Sequence, residues 1–590
     1  MIHPVTVHQK TIEWILVWFG SLLCISLLLP NHYQPWLSFH QEGIAAIAVI
    51  PLIAWSLWRQ YSDPNPKLPW AVIAALIVPA LAVEQLLTRQ LIFHSDALLA
   101  IFFSLLFAGS VLSGKNLVTR ESFSTRKSGL SAFWFAWIWA GIFSVGIALH
   151  QWLNLSYSGL FIIDLPPNGR PFANLAQPNH LATLLLLSIT GILYAYQSNK
   201  LGAWSTCAAI IFFCFGLAMT QSRSVLIGLL VALVAFHVTR SRYQLRLPVW
   251  SFGALIFTFL ICSILWPSVN SALLIANETQ STLGRTDPGV RVTYWHSALE
   301  AIAMRPVAGW GFGQIGMAQQ ATALSYPATH TFFSSTHNIL LDLVLWMGIP
   351  ITVLVITLLW RHLRQQKLPN TDNSAAWAAL TGVSCIFGHA LVEFPLFYTY
   401  FLIPFGFLLG IMSGRDECKI TNLYAIKLHK FCILFVATVA PFIYTKMATE
   451  YFSWEKDSQN LNFELQQYKN TEPAFIPEYA LLDQIAVMHE VARSKPDRNM
   501  RNTEIQNFKK NAERYPSSLA LLRYAYAAAL NGRPDKASRT LNLLCSMHRE
   551  NVCAAAREEW QRFGQEKWPE LKNIKFPSPD ETLKNKEKTK

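Results

Sequence analysis

Charged residues are scarce in this sequence: Asp, Glu, Lys and Arg together make up only 14% of its 590 residues. In a soluble protein of this length about a quarter of the residues are charged, because its surface must be hydrated. Hydrophobic residues instead account for 52% of the chain and include 21 tryptophans. The composition therefore excludes an ordinary soluble fold and predicts a protein that crosses a membrane many times.

Several sequence signatures are also missing. Neither a GxxxxGK[ST] phosphate-binding loop nor a dinucleotide fingerprint occurs, so ATP-driven and dinucleotide-dependent functions have no support. The first apolar segment is not followed by a small-residue cleavage site. We therefore expect it to remain as a membrane span rather than to be removed as a signal peptide.

Long apolar runs are what the sequence does contain. A helix needs roughly 17–25 apolar residues to cross about 30 Å of hydrocarbon, and about thirteen runs approach or reach that length. They cover residues 12–29, 43–58, 69–87, 97–113, 130–150, 179–196, 202–219, 222–239, 247–267, 338–360, 374–392, 396–413 and 428–447. The sequence thus predicts an all-α, polytopic membrane protein with about thirteen transmembrane helices.

Lysine is distributed unevenly between the connections of these spans. Lys and Arg are retained on the cytoplasmic side of a membrane, and alternate connections are rich in both. The interleaved connections contain six arginines and no lysine. An odd number of spans then places the amino terminus in the cytoplasm and the tail, from about residue 449, outside. The net charge of +13 follows from this topology and from the tail, so no nucleic-acid partner is expected.

The chain divides into four predicted regions. They are an N-terminal transmembrane region at 1–267 with about nine helices, a large periplasmic loop at 268–337, the last transmembrane helices at 338–447, and a soluble helical periplasmic domain at 448–590. Two apolar-faced stretches flank a GRPD turn in the last region and resemble one TPR unit, and a basic, disordered tail follows. This domain is predicted to be either a helical cap or a docking surface. Whether its Cys545 and Cys553 pair stays open.

Arginines mark the predicted outer face. Arginine suits phosphate because its planar guanidinium donates two parallel hydrogen bonds and stays ionised in a partly dry site. Arg223 lies at the mouth of the eighth span, Arg170 precedes the sixth, and Arg285 and Arg291 lie in the large loop. Each of them can alternatively anchor a helix end at the lipid headgroups.

Further polar residues share that face. His337 and Asn338 stand in FFSSTHNILLDLVLWMGIP, at the mouth of the tenth span. The histidine is either a polar end-cap of the helix or a group that moves a proton near neutral pH. A carboxylate at membrane depth is energetically unfavourable, so the presence of Glu393 there suggests a functional role. The other polar candidates on this face are Gln177, Tyr398 and Tyr400.

Six segments carry a resemblance to a known family. They are PNHYQPWLSFHQEG at 30–43, ANLAQPNHLATLL, TQSRSVLIG, GRTDPGVRVTYWHSAL with RPVAGWGFGQ, STHNILLDLVLWMGIP and VEFPLFYTYFLIP. In this order they resemble the bacterial protein O-oligosaccharyltransferases of the PglL type, which belong to the O-antigen ligase and polymerase superfamily. The likeness runs from about residue 12 to the soluble tail.

The resemblance implies a glycosyltransferase of the bacterial inner membrane. Such an enzyme moves a glycan en bloc from undecaprenyl diphosphate to Ser or Thr of periplasmic or pilin-like proteins. The resemblance implies that His337 is catalytic and that Arg223 and Arg291, with Arg285 as a neighbouring candidate, hold the donor diphosphate. Gln177 and either Tyr398 or Tyr400 would bind substrate, and Asn338 and Glu393 are further candidates for orienting it.

Neither a metal nor a cofactor is expected. The predicted outer face has no DxD pair, WWD segment or carboxylate cluster, so arginines would stabilise the leaving diphosphate. Two other functions stay open. A lipopolysaccharide O-antigen ligase or polymerase would transfer to a sugar hydroxyl, whereas a transporter of lipid-linked glycan would need midplane ionisable residues and internal repeats. The opening segment, QPNH, EFPLFYTYF and the long tail favour a protein acceptor.

Overall fold

Helices account for almost all of the regular structure. The computed structural model describes residues 7–120, 123–155, 159–166, 169–243, 245–273, 291–364, 373–413, 418–419, 423–467 and 473–577. Two antiparallel strands of two residues each, β1 (Lys67–Leu68) and β2 (Cys418–Lys419), complete the regular elements together with two short 3-10 turns. The all-α, polytopic membrane fold predicted from the sequence is confirmed.

The helices of the apolar part of the chain come first. They are α1 (Val7–Leu28), α2 (Phe39–Ser62), α3 (Trp70–Leu87), α4 (His94–Arg120), α5 (Phe123–Trp152), α6 (Pro178–Gln197), α7 (Ala203–Thr220), α8 (Ser224–Tyr243), α9 (Ser251–Ala272), α10 (Arg291–Met304), α11 (Ile315–Thr322), α12 (Ile339–Arg364), α13 (Asn373–Ala390), α14 (Thr399–Ile411) and α15 (Leu423–Leu465). The tail adds α16 (Asp483–Arg493), α17 (Asn502–Arg514), α18 (Ser518–Leu530), α19 (Pro534–Met547) and α20 (Glu550–Glu566).

Eleven helices among the described residues are long and apolar enough to cross a membrane, namely α1 to α9, α12 and α15. The other two predicted spans correspond to α13 and α14. The polar ends of α13 lower its mean hydropathy, and α14 has 13 residues, which span about 20 Å and fall short of a bilayer core. The number thirteen therefore stays a prediction, as does the division into four regions, whose boundary at 447 lies inside α15.

Two compact units draw on discontinuous parts of the chain. The first comprises Met1–Ile77, Phe103–Asp287 and Val355–Phe442, and the second comprises Val78–Phe102, Pro288–Leu354 and Ile443–Lys590. Four helices, α3, α4, α12 and α15, contribute residues to both units. Each unit carries part of the predicted functional residues.

Close helix packing organises the first unit. A Cβ added at Gly114 on α4 would collide with the carbonyl oxygen of Phe407, and one at Gly410 on α14 would collide with that of Val111. Glycine at such crossings lets helix backbones approach, as is typical of membrane helices. The most enclosed of the candidate spans is α6, which packs against α5, α7 and α13 and begins directly after Gln177.

The tail helices of the second unit pack in chain order, each on the next. Their shared core contains Ala525, Leu541 and Trp560, all almost fully buried. The two helical stretches predicted about the GRPD turn are α18 and α19, and Gly532 supplies the left-handed residue after α18 with φ of 72°. A disulfide joins the two tail cysteines, whose Cα atoms are 4.9 Å apart. The TPR-like character of the stack stays a prediction.

Candidate active site

His337 lies in the turn that precedes α12. The carboxamide oxygen of Asn338 accepts hydrogen bonds from the amides of Leu340 and Leu341, at 3.0 and 3.4 Å. Asn338 is therefore the residue that caps α12. His337 has φ of 57°, a left-handed conformation that residues other than glycine adopt rarely and often at functional sites. The helix thus takes its capping oxygen from the asparagine and not from the histidine.

A buried carboxylate fixes the backbone before His337. Asp342, one turn into α12, is fully buried. Its two oxygens accept hydrogen bonds from the Ser335 hydroxyl and the Thr336 amide, both at 2.7 Å. The Ser335 oxygen in turn accepts the amide of His337 at 3.0 Å. The conformation of the turn is therefore determined by α12 itself.

The same turn packs against α10. The indole nitrogen of Trp295 donates to the carbonyl of Thr336 at 2.8 Å, and the ring of Phe333 meets the His337 ring edge-on at 5.8 Å. Arg291 begins α10 four residues before Trp295, so both lie on one face of this helix. The second unit therefore places Arg291 one helical turn from Trp295, which contacts the residue before His337.

In the first unit, Arg223 is exposed between two buried serines. The hydroxyls of Ser222 and Ser224 are 2.6 Å apart. Ser222 donates to the side-chain oxygen of Asn179 at 2.8 Å, and Ser224 bonds Nε2 of His389 at 2.6 Å. The backbone on both sides of the arginine is therefore held by buried hydrogen bonds while the guanidinium reaches the surface.

The network continues through α6 and α13. The amide of Asn179 donates to Oε1 of Glu393 at 2.6 Å, and the Thr183 hydroxyl bonds Nδ1 of His389 at 2.6 Å. Glu393 is 6% exposed and His389 is fully buried. Buried polar groups of this kind must be satisfied, and a satisfied network fixes one geometry. Glu393 thus orients the side-chain amide of Asn179, and Asn179 in turn accepts a hydrogen bond from Ser222, the neighbour of Arg223.

The two tyrosines of the EFPLFYTYF segment surround one histidine. The hydroxyl of Tyr400 lies 3.1 Å from Nδ1 of His180, and the ring of Tyr398 lies 4.4 Å from the same imidazole. Tyr400 is 1% exposed, whereas Tyr398 keeps part of its surface accessible. Tyr398 is therefore the more accessible tyrosine of the pair.

Gln177 stands at the amino terminus of α6, where the helix dipole is positive. Its side chain makes no capping hydrogen bond and is half-buried. The segment at 30–43 braces the loop before it, because His32 and Gln41 both contact the carbonyl of Asn174, at 2.8 and 2.7 Å. Burial lowers the pKa of His32.

Arg170 and Arg285 are the remaining arginines among the predicted candidates. Arg170 donates to the carbonyls of Thr220 and Gln221, at 3.2 and 3.3 Å, and so braces the end of α7 just before Arg223. Arg285 lies outside the described residues. Within the described ranges, His, Cys, Asp and Glu form no group of three or more that could hold a metal ion.

Sequence reasoning missed the side chains behind the exposed arginine. Ser222, Ser224, Asn179 and His389 were not predicted, although small polar residues flank the arginine in QSRS and a histidine stands four residues before Glu393. Those local patterns also occur at ordinary helix ends. Only the packing of α6, α8 and α13 shows that these side chains bond to one another.

Comparison with known families matches three parts of the chain. A model described as protein glycosylation ligase matches residues 171–194, which include Gln177. A model described as O-antigen ligase matches 208–356, which include Arg223, Arg291 and His337. A model of the C-terminal part of a virulence factor membrane-bound polymerase matches 377–562, which include Glu393.

Two curated relatives come from Acinetobacter baylyi (strain ATCC 33305 / BD413 / ADP1). A general O-oligosaccharyltransferase is 29% identical over 67% of this chain and 69% of its own length. A ComP-specific O-oligosaccharyltransferase is 27% identical over 70% of this chain and 73% of its own length. No solved structure matches the chain at comparable significance. The chain is therefore a multi-pass membrane glycosyltransferase that is similar to the protein O-oligosaccharyltransferases of the PglL type and to the O-antigen ligases.

Proposed function

We propose that the chain transfers a glycan en bloc from undecaprenyl diphosphate to Ser or Thr hydroxyls of periplasmic or pilin-like proteins. The relatives support an enzyme that glycosylates proteins through oxygen. The lysine-poor connections support a periplasmic position for His337 and for the tail.

His337 acts as the general base in this proposal. A serine or threonine oxygen attacks the anomeric carbon of the first sugar, its proton passes to the imidazole, and the bond from that carbon to the diphosphate oxygen breaks. Undecaprenyl diphosphate leaves with the electron pair. A hydroxyl is a poor nucleophile until a base within about 3 Å begins to take its proton. The observation that carries this role is the cap of α12, which Asn338 and not His337 supplies.

The arginines hold the leaving group. Negative charge grows on the departing diphosphate, and guanidinium groups stabilise it with paired hydrogen bonds. Arg223 and Arg291 are assigned this task, with Arg285 as an additional candidate. Gln177 and Tyr398 would bind the sugar or the diphosphate, and Glu393 would act through Asn179 by positioning the turn that presents Arg223.

One substitution tests the role of His337. His337→Asn keeps a hydrogen-bonding side chain but cannot accept a proton near pH 7. We expect transfer to fall by about a hundred- to ten-thousand-fold, with unchanged protein level and unchanged binding of the lipid-linked donor. The readout is the intact mass of periplasmic and pilin-like proteins from cells with and without the chain. His296→Asn, at an exposed position of α10, is the matched control and should retain activity.

Near-full glycosylation by the His337→Asn protein would contradict the role as base. A second candidate function is transfer to a sugar hydroxyl, as in an O-antigen ligase or polymerase, which the matches over 208–356 and 377–562 favour. The same mass measurement separates the two functions, because only a protein acceptor gains the mass of the glycan. The enzyme relatives leave the transporter alternative without support.

A further inference from the structure

A cleft of about 390 Å³ opens within the second unit, between α11 with the turn before it and the tail helices α17 to α19. Its lining includes four cationic side chains, which define what we call the cationic cleft: Arg305, Lys509, Lys536 and Arg539. Ligand-binding pockets commonly enclose 300–1,000 Å³. The cleft is therefore large enough for a few side chains of a bound peptide, and it contains none of the residues assigned to glycosyl transfer.

Positive charge dominates this cleft. Glu513 is the one acidic residue of its lining, and it pairs with Lys509 at 3.0 Å. Lys536 and Arg539 are exposed, and neither takes part in an ion pair with any residue that the structure describes. They stand three residues apart on α19, so they share one face of the helix. The cleft thus presents cations whose charge the described protein does not neutralise.

The walls of the cleft are fixed by hydrogen bonds. The side-chain amide of Gln320 on α11 donates to the carbonyls of Ala512 and Glu513, at 3.3 and 2.9 Å. Next to them, Arg514 pairs with the buried carboxylate of Asp96 at 3.0 Å. The bonds of Gln320 hold α17 against α11, and the pair of Arg514 with Asp96 holds α17 against the first turn of α4. The cationic side chains therefore project from a formed surface.

The aromatic residues of the cleft argue against a sugar as its ligand. Recognition of a sugar would use an open aromatic face, but Trp310 is 6% exposed and Tyr524 is 7% exposed. The guanidinium of Arg305 also covers the ring of Trp310 at 4.2 Å. What the cleft offers to a ligand is therefore charge.

We propose that the cationic cleft binds an acidic segment of the acceptor protein. Stacked helices commonly bind peptides on their concave surfaces, and carboxylates complement the cations of the lining. A carboxylate-bearing segment fits better than a lipid headgroup, because α17 and α19 are polar amphipathic helices and are not among the candidate spans. This inference rests on the proposed function, since it names a feature of the same acceptor.

The test uses the full chain in detergent and a fluorescein-labelled ten-residue peptide in which Glu alternates with Ala. The cleft variant is Lys536→Glu with Arg539→Glu. The control variant is Lys495→Glu with Arg562→Glu, which makes the same change of charge at exposed tail positions outside the cleft. From fluorescence anisotropy we expect the Kd of the peptide to rise by about tenfold or more in the cleft variant and to stay within about twofold in the control.

Three results would overturn the proposal: equal weakening in both variants, equal binding of a peptide with Gln in place of Glu, or binding of phosphatidylglycerol vesicles or inorganic phosphate without binding of the acidic peptide. In cells, the cleft variant should also glycosylate less acceptor than the control does, with donor binding unchanged. Failure of the proposed function looks different, because the wild-type chain would then yield no glycoprotein while peptide binding is still measured.

Discussion

His389 bonds one hydroxyl with each of its two ring nitrogens. An asparagine or a glutamine in its place can therefore preserve one of these two hydrogen bonds. The side-chain amide of Asn reaches about as far as Nδ1, which contacts Thr183, and that of Gln about as far as Nε2, which contacts Ser224. Ser224 is the neighbour of Arg223. His389→Gln should therefore preserve the turn of the arginine, whereas His389→Asn should release it.

The magnitude follows from what each variant loses. Each gives up one buried hydrogen bond, worth about 0.5–1.5 kcal/mol net. Thr183 keeps its bond to the carbonyl of Asn179 at 3.1 Å, and Ser224 keeps Ser222 at 2.6 Å, so neither hydroxyl is left unsatisfied. The two variants should therefore lose similar stability, about 1 kcal/mol.

The affinity for the lipid-linked donor should differ between the two variants. A charge-assisted contact to diphosphate is worth about 1.5–3 kcal/mol, so a misplaced Arg223 should raise the Kd of the lipid-linked donor by about tenfold to a hundredfold. We expect this effect in His389→Asn and less than about threefold in His389→Gln. The assay is titration of purified protein with the donor, with thermal unfolding as the control for stability. Equal Kd values in the two variants, or the reverse order, would refute the positioning of Arg223 by His389.

Reporter fusions after Arg246 should read cytoplasmic and fusions after residue 460 periplasmic; a cytoplasmic tail would contradict the proposed position of the acceptor. Arg223→Lys combined with Arg291→Lys keeps both charges but loses the guanidinium fork, so transfer should fall strongly while the protein still inserts, and unchanged transfer would disprove diphosphate recognition by these residues. Burial lowers the pKa of His548 below 6.5, so the unfolded chain takes up a proton that the folded chain resists. The unfolding temperature should therefore fall as the pH drops from about 7 to about 5, and His548→Gln should reduce that dependence.

The sequence by itself determined the fold class. Hydropathy is a local property, so runs of apolar residues predict membrane helices without knowledge of their neighbours. Hydropathy alone does not determine the number of spans, because the run at 396–413 folds as a turn followed by the 13 residues of α14. The sequence also determined the kinds of side chains at the candidate site, since arginine, histidine and tyrosine carry their chemistry wherever the fold places them.

The tertiary structure decided what those side chains contact. Asn338 caps α12 although His337 is its neighbour, because only the conformation of the turn determines which side chain reaches the helix amides. Asn179 and Glu393 are separated by 214 positions along the chain, and no local periodicity relates them. Such contacts depend on how helices pack, and many different packings satisfy the same apolar pattern. The cationic cleft has the same origin, because α11 and α19 place their residues in one cleft only after the second unit has folded.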